Sequence, residues 1–239
     1  MRLGLFVLGA FFVGADDMSN AVELSVDQEW STNQGSAKPL VIACGAIAKE
    51  LIAILDMNQA RDSVEIQCLP AIWHNTPDKI PGGVRAKIEA ARADDSTRPV
   101  YVAFADCGTG GLLDKVLEDY PDIAMLPGAH CYAFFAGLPK FDAMMDQEIG
   151  TFFLTDFLAR HFRKFVWEGF GLDRSPDMLP MMFGNYKRII YLAQQSPPPY
   201  LDYAQEAAEL LGLRLEVVDT GYGLMHDIAK FAAGELPAR

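Results

Sequence analysis

The sequence predicts an α/β protein built on a mainly parallel, doubly wound sheet. Beyond residue 38, short apolar runs rich in β-branched residues alternate with stretches whose apolar residues recur at helical spacing. Because two parallel strands need a long crossover between them, usually a helix, this alternation is typical of a parallel sheet covered on both faces. A chain of 239 residues is long enough for one large domain of this kind or for two small lobes.

Four strands are predicted in residues 38–138. Their sequences are PLVIACG (39–45), SVEIQCLPAIWH (63–74), RPVYVAFADCG (98–108) and the beginning of DIAMLPGAHCYAFFAG (122–137). Helices are predicted between them, where apolar residues recur at helical intervals. The helical segments are AIAKELIAILDMN (46–58), the part of PDKIPGGVRAKIEAARAD (77–94) that follows Gly82-Gly83, and GGLLDKVLEDYP (110–121).

The remaining chain divides into two parts. Residues 139–183 are rich in aromatic residues at helical spacing, so we expect a helical insertion that is broken at Gly150-Thr151. The α/β pattern then returns in residues 184–239, either as the end of a single domain over 38–239 or as a smaller second α/β lobe. Its predicted strands are 186–194 and 213–221, and its predicted helices lie in 197–212 and 223–236.

Residues 1–37 form a predicted unstructured or leader segment. An apolar run of about ten residues follows Arg2, as in a short signal peptide, although a start placed too far upstream would give the same pattern. This run is too short to span a bilayer, and the sequence offers no other candidate span. Because the four cysteines do not form a disulfide-dense framework, we expect a cytoplasmic protein, with export as the alternative.

The acidic composition restricts the partners. The formal net charge is -12, and 51% of the residues are hydrophobic. Nucleic-acid binding requires clustered Lys and Arg that neutralise phosphates, and the one locally basic stretch, HFRK at 161–164, is short. We therefore expect a small-molecule partner and neither nucleic acid nor a membrane.

Cysteine and histidine residues stand at the ends of the predicted strands. Cys44 ends the first strand, His74 the second and Cys107 the third, and His130 and Cys131 follow the fourth. In open parallel sheets, ligands bind beyond the carboxyl ends of the strands, and these residue types bind zinc and other borderline-soft metals. We expect a zinc or iron site with Cys44, Cys107 and His130 as ligands, and with Cys131 or His74 as a fourth.

The loop DCGTGG (106–111) follows the third strand and opens a helix. Gly108, Gly110 and Gly111 can present backbone N–H groups to an anion, which makes them candidate cofactor-binding residues. Alternatively, these glycines only let the backbone approach a bound ligand, since the loop lacks the complete P-loop and dinucleotide patterns. Asp106 stands beside a predicted ligand and is the candidate catalytic acid–base group.

The cysteines also allow two other interpretations. Free cysteine is among the most buried residue types and often only fills space, and Cys68, within its strand, is assigned to the core. Alternatively, Cys107 or Cys131 is a metal-free thiolate nucleophile with His130 as its base. Nearby aromatic residues either wall an apolar pocket or belong to the core: Trp73, Tyr132, Phe134 and Phe135.

Several segments taken together resemble the family catalogued as domain of unknown function 1638. They are LVIACGAIAKEL, WHNTP, DCGTGG, LPGAHCYAFFAG, EIGTFFLTDFLARHF and MMFGNYKRIIYL, and the resemblance covers nearly all of the chain from residue 38. Genes of this family often lie beside those of corrinoid-dependent methyltransferases. The resemblance therefore implies a role in the one-carbon metabolism of methylated amines, with a corrinoid protein or a methyltransferase as a partner and corrinoid cobalt as a further candidate metal. It leaves open whether the chain is an enzyme or a non-catalytic metal or cofactor accessory protein.

Overall fold

The computed structural model describes residues 26–32, 37–93, 95–223 and 226–235. Most of the predicted leader segment, including residues 1–25, therefore lies outside the described residues. Within the described part of the chain, no helix is both long and apolar enough to cross a membrane.

Five strands form the first sheet, in the order β1-β3-β2-β4-β5. They are β1 (Trp30–Ser31), β2 (Leu40–Cys44), β3 (Glu65–Leu69), β4 (Val100–Ala103) and β5 (Ala124–Met125). All pairings are parallel except that of β1 with β3. Every residue of β2 and β4 is buried, as expected for the central strands of a sheet covered on both faces.

Four helices follow the strands of this sheet, and the first three of them connect one strand to the next. They are α1 (Ala48–Met57), α2 (Lys79–Arg92), α3 (Leu112–Leu117) and α4 (Tyr132–Ala136), with short 3-10 turns at Gly45–Ile47 and Ala71–Asn75. The prediction that the helix in 77–94 begins after the two glycines is wrong, because α2 begins at Lys79. Pro81 occupies the first turn, where its missing N–H has no intrahelical partner to lose. Gly83 is required by packing, since a Cβ there would lie 2.5 Å from Cζ3 of Trp73.

A second sheet contains the last three strands, all parallel, in the order β6-β7-β8. They are β6 (Thr151–Leu154), β7 (Arg188–Ala193) and β8 (Arg214–Asp219). The helices in this part of the chain are α5 (Leu138–Gln147), α6 (Asp156–Arg160), α7 (Leu179–Phe183), α8 (Leu201–Leu211) and α9 (His226–Ala232), with a π-helix at Arg163–Glu168. Of these, α9 packs against α1. The predicted α/β class with a mostly parallel sheet is thus confirmed.

The predicted helical insertion at 139–183 is mostly helical but also contains β6. This strand pairs in register with β7, from Thr151 opposite Arg188 to Leu154 opposite Tyr191. The local aromatic spacing predicts a helix, but burial against a distant strand decides the structure because β propensity depends mainly on such packing.

Two adjacent glycines of α2 provide a matched test of this packing. A Cβ at position 82 would meet nothing within 4 Å, whereas one at position 83 would meet Trp73 and Leu69. Gly82→Ala is expected to raise the free energy of unfolding by about 0.5–1 kcal/mol through helix propensity. Gly83→Ala is expected to lower it by about 1–3 kcal/mol through overpacking. Urea unfolding measures both, and equal effects would contradict the close contact between α2 and Trp73.

Candidate metal centre

The loops that follow β4 and β5 lie side by side. The N–H of Asp106 donates to the carbonyl of Gly128 at 3.2 Å, and the N–H of Cys107 donates to the carbonyl of Ala129 at 3.0 Å. These bonds continue the parallel pairing of β4 and β5 beyond the ends of the strands. They bring Cys107 next to Cys131, the residue that precedes α4.

Asp106 shapes the first of these loops. Its carboxylate accepts hydrogen bonds from the Thr109 hydroxyl at 2.7 Å, the Gly110 N–H at 3.1 Å and the Gly111 N–H at 2.6 Å. Partial burial by itself would raise the pKa of this carboxyl, but these donors outweigh burial and lower it. The acid–base role of Asp106 stays a prediction, while the structure shows its oxygens bonded within their own loop.

The glycines of the same loop serve its conformation. Gly108, Gly110 and Gly111 all have positive φ, the region that glycine adopts without steric cost. The N–H groups of Gly110 and Gly111, which the sequence offers to a bound anion, instead point at the Asp106 carboxylate. Cys107 also has a positive φ of 49°, which costs a non-glycine residue about 1–2 kcal/mol. The loop therefore holds the Cys107 thiol in a strained position.

His74 lies in the 3-10 turn that follows β3. One of its ring nitrogens has a hydrogen-bond partner in the described part of the chain and the other does not. Its Nδ1 lies 3.1 Å from the carbonyl oxygen of Ala71, which can only accept, so Nδ1 carries a proton. Its Nε2 is buried and has no hydrogen-bond partner among the described residues. A metal-binding histidine commonly donates one N–H to a carbonyl and ligates with the other nitrogen. Nε2 is therefore the ligating atom that this geometry offers.

The turn that carries His74 is fixed to the second sheet's helices. The side-chain amide of Asn75 donates to the carbonyl of Phe165, in the π-helix, at 3.1 Å. A π-helix turn is uncommon and is frequently found at functional sites. Asn75 and the Ala71 carbonyl are parts of the site that the sequence interpretation missed. The fragment WHNTP contains Asn75, but no spacing rule distinguishes it from an ordinary loop amide.

Three donors converge at this edge of the first sheet. The ligand atoms of His74, Cys107 and Cys131 lie within 4.8 Å of one another. Both cysteines are buried, since Cys107 is 7% exposed and Cys131 is 9% exposed. Among the described residues, these three form the group of at least three His, Cys, Asp or Glu side chains that lie close enough together to hold a metal ion.

Burial and mutual contact shift the pKa values of these three side chains. The pKa of Cys107 falls well below its usual value because Cys131 donates a hydrogen bond to it, and because His74 stabilises the thiolate despite burial. The pKa of Cys131 rises well above its usual value for the same hydrogen bond and for its burial. Burial alone would lower the pKa of His74, but the neighbouring Cys44 and Cys107 outweigh it and raise the pKa. These shifts favour the thiolate form of Cys107 over its thiol form in the metal-free cluster.

Two of the predicted ligands lie elsewhere. The Cys44 sulfur accepts from the Ala46 N–H at 3.3 Å and lies 3.5 Å from His74 Nδ1, the nitrogen opposite the free Nε2. His130 is exposed, and its ring lies 6.2 Å from that of Tyr132. Because Cys131 turns inward at the start of α4, its neighbour His130 turns outward. His74 therefore takes the place that the sequence assigns to His130.

The surroundings of the cluster are apolar. Burial raises the pKa of the Tyr132 hydroxyl, and the nearby cysteines raise it further. Phe134 and Phe135 belong to the core, whereas Trp73 packs at its margin. Cys68 is fully buried within β3, and burial raises its pKa, as its assignment to the core predicts.

A family model described as "Protein of unknown function (DUF1638)" matches residues 68–229. The matched region includes all three converging donors, whereas Cys44 lies before it. No curated protein and no solved structure matches this chain.

The lowered pKa of Cys107 predicts that reduced, metal-free protein keeps a thiolate at unusually low pH. Because the pKa of Cys107 is lowered, its thiolate persists to a lower pH than that of an ordinary thiol and is lost only as the pH falls through that lowered value. Thiolate absorbance in the ultraviolet, followed through a pH titration, measures this. Cys107→Ser should lack the low-pH thiolate and Cys68→Ser should retain it. A wild-type titration near the ordinary thiol pKa of about 8.5 would contradict the cluster.

Proposed function

We propose that this chain, which belongs to the DUF1638 family of proteins of unknown function, binds a metal ion through His74 Nε2, Cys107 and Cys131. The observation that carries the proposal is the buried Nε2 without a partner, held by a ring whose other nitrogen donates to Ala71. A buried polar atom left unpaired costs free energy. Coordination of a metal would remove that cost.

The donor set favours zinc. Thiolate and imidazole ligands suit borderline-soft ions, and zinc binds two sulfurs and a nitrogen tetrahedrally. In such a site the ligand atoms lie about 3.3–3.8 Å apart, so donors within 4.8 Å need only small side-chain movements. Iron and the cobalt of a corrinoid are the alternative metals. Because Cys131 must lose its proton to ligate, binding should release a proton.

Three protein ligands leave a tetrahedral ion with one open position. Structural zinc sites are closed by four protein ligands, whereas catalytic sites keep the fourth position for water or substrate. A bound zinc ion would supply Lewis-acid chemistry to a small molecule in that position. In this proposal Asp106 holds the loop that positions Cys107, and Tyr132 and the neighbouring apolar residues limit access of water.

We place the small molecule in corrinoid-linked one-carbon metabolism, with a corrinoid protein or methyltransferase as partner. The family resemblance supports this part of the proposal. Reduced, buried thiols also favour a reducing compartment, so we propose the cytoplasm. Whether the chain turns over its ligand or carries a metal or cofactor for a methyltransferase is decided by assay of the metal-loaded protein for methyl transfer or thiol activation.

A metal-free thiolate enzyme is the second candidate. The hydrogen bond from Cys131 and the contact with His74 favour a Cys107 thiolate, which is the reactive form of cysteine. In this candidate His74, and not the exposed His130, is the proton-transfer partner. Stoichiometric metal in protein purified without chelators would favour the first function over this one.

Removal of one thiolate tests the metal proposal. Cys107→Ser is expected to abolish stoichiometric metal in protein purified without chelators, because a hydroxyl is a much poorer ligand than a thiolate for a borderline-soft ion. Cys68→Ser is the matched control, since Cys68 is also buried but lies within β3. It should retain metal and lose about 1–3 kcal/mol of stability. Plasma emission spectroscopy measures metal content, and equal metal content in wild type and both variants would contradict the metal proposal.

The two histidines provide an independent comparison. His74→Ala is expected to reduce metal affinity strongly, because it removes the only ring nitrogen in the converging cluster. His130→Ala is expected to leave affinity within about twofold of wild type, since an exposed side chain outside the cluster makes no ligand bond. Chelator competition measures both affinities. Loss of metal from His130→Ala alone would show that the ligand set is different.

A further inference from the structure

Two carboxylates lie buried between the sheets, apart from the thiol cluster. Glu50 stands in the first turn of α1, which follows β2, and Asp156 opens α6, which follows β6. They are 7% and 2% exposed. Because α6 packs against the 3-10 turn that precedes α1, each sheet contributes one carboxylate from the carboxyl end of one of its strands.

Each carboxylate has one buried oxygen without a partner. Glu50 Oε2 and Asp156 Oδ2 accept no hydrogen bond from any described residue. Buried polar atoms are satisfied in the great majority of cases, and an unsatisfied one asks for an explanation such as a bound ion or ligand. One donor group that carries positive charge would satisfy both of these oxygens.

Asp156 is held rigidly in this arrangement. Its Oδ1 accepts from the Tyr191 hydroxyl at 2.6 Å and from the Gln194 N–H at 3.3 Å. Its own N–H donates to the Gln194 side-chain oxygen at 2.6 Å. Since Tyr191 lies in β7 and Gln194 directly follows it, these bonds fix the direction of the free Oδ2. The oxygen is therefore available without rearrangement of its own element.

The two carboxylates share one environment with Tyr222. Burial, with a smaller contribution from the charge of Asp156, raises the pKa of Glu50 to about 7. Burial raises the pKa of the half-buried Tyr222, and both carboxylates contribute to that rise. The loop that carries Tyr222 is fixed on α4, since a Cβ at Gly223 would lie 1.8 Å from the carbonyl oxygen of Phe134. The charges of Glu50 and Asp156 thus reach Tyr222, which belongs to a third part of the chain.

We propose that Glu50, Asp156 and Tyr222 form a second site, which binds the protonated primary amine of a small molecule. A primary ammonium group has three N–H donors, and Glu50 Oε2, Asp156 Oδ2 and the Tyr222 hydroxyl oxygen supply three acceptors. A hard divalent cation such as Mg²⁺ or Ca²⁺ takes six or more oxygen ligands. Such an ion would have to keep several waters beside these acceptors, whereas three acceptors satisfy all the donors of one ammonium group.

This site is independent of the metal centre. The converging cluster of His74, Cys107 and Cys131 contains neither carboxylate. The two sites lie at connections that start from different strands, the carboxylates after β2 and β6 and the thiols after β4 and β5. Failure of metal binding would therefore leave the amine proposal standing, and the reverse also holds.

The first test compares simple cations on the full chain. Ethylammonium chloride is titrated at constant ionic strength beside tetramethylammonium chloride, magnesium chloride and sodium chloride. A three-heavy-atom ligand reaches at best roughly millimolar affinity, so concentrations on the order of 10–100 mM are used. Ethylammonium alone is expected to raise the Tm, by about 2–4 °C at several times its Kd. An equal or larger rise with tetramethylammonium, which has no N–H donor, or with magnesium would overturn the proposal.

Two variants locate the effect. Glu50→Gln is expected to lose the ethylammonium-specific rise while keeping a starting Tm at least as high as wild type, because it removes a buried charge. Glu206→Gln is the control, since Glu206 is an exposed carboxylate paired with Arg163, and it should keep the full rise. A rise retained in Glu50→Gln would overturn the proposal. Asp156→Asn disturbs the bonds to β7, so the cation series and Glu50→Gln decide the outcome.

Discussion

Parallel register is the constraint on which the rest of this structure depends. In the first sheet, β2 pairs with both neighbours without a slip, so that Ala43 lies opposite Cys68 on one side and Ala103 on the other. Chain segments that leave these strands must therefore emerge at one edge and at nearly the same level. The connections that carry His74 and Cys107 start from this edge, and two further backbone hydrogen bonds add the Cys131 loop to it.

Much of the fold could be predicted from this logic. The apolar runs locate the strands, and the rule for strand ends gives five candidate ligands that include His74, Cys107 and Cys131, although it prefers Cys44 and His130 to two of these three. The direction of a side chain within a loop could not be predicted in the same way. His130 and Cys131 are adjacent, and only the start of α4 decides that the cysteine turns inward. Likewise, the position of Cys44 on the Nδ1 side of His74 depends on a 3-10 turn that no sequence pattern marks.

The buried carboxylates illustrate a different limit. Glu50 in the first turn of α1 is an ordinary residue by sequence, since acidic side chains are favoured near helix N-termini. Its burial arises only because α6 of the second sheet packs against the turn before α1. Asp156 likewise follows Thr155, whose hydroxyl caps α6, and by pattern it is a solvated first-turn acid. Long-range docking of the two sheets, rather than any local motif, creates this acidic environment.

The distribution of unfavourable features links the two sites. Within the described parts of the chain, the buried side-chain oxygens and nitrogens without partners are Glu50 Oε2, His74 Nε2 and Asp156 Oδ2. All three follow the carboxyl end of a parallel strand, as does the strained Cys107. The strands themselves carry none of these unpaired atoms. Sequences tend to break the rules of packing and hydrogen bonding at functional positions and to satisfy them elsewhere. The confinement of these costs to the edges where open α/β sheets bind ligands supports both proposed sites.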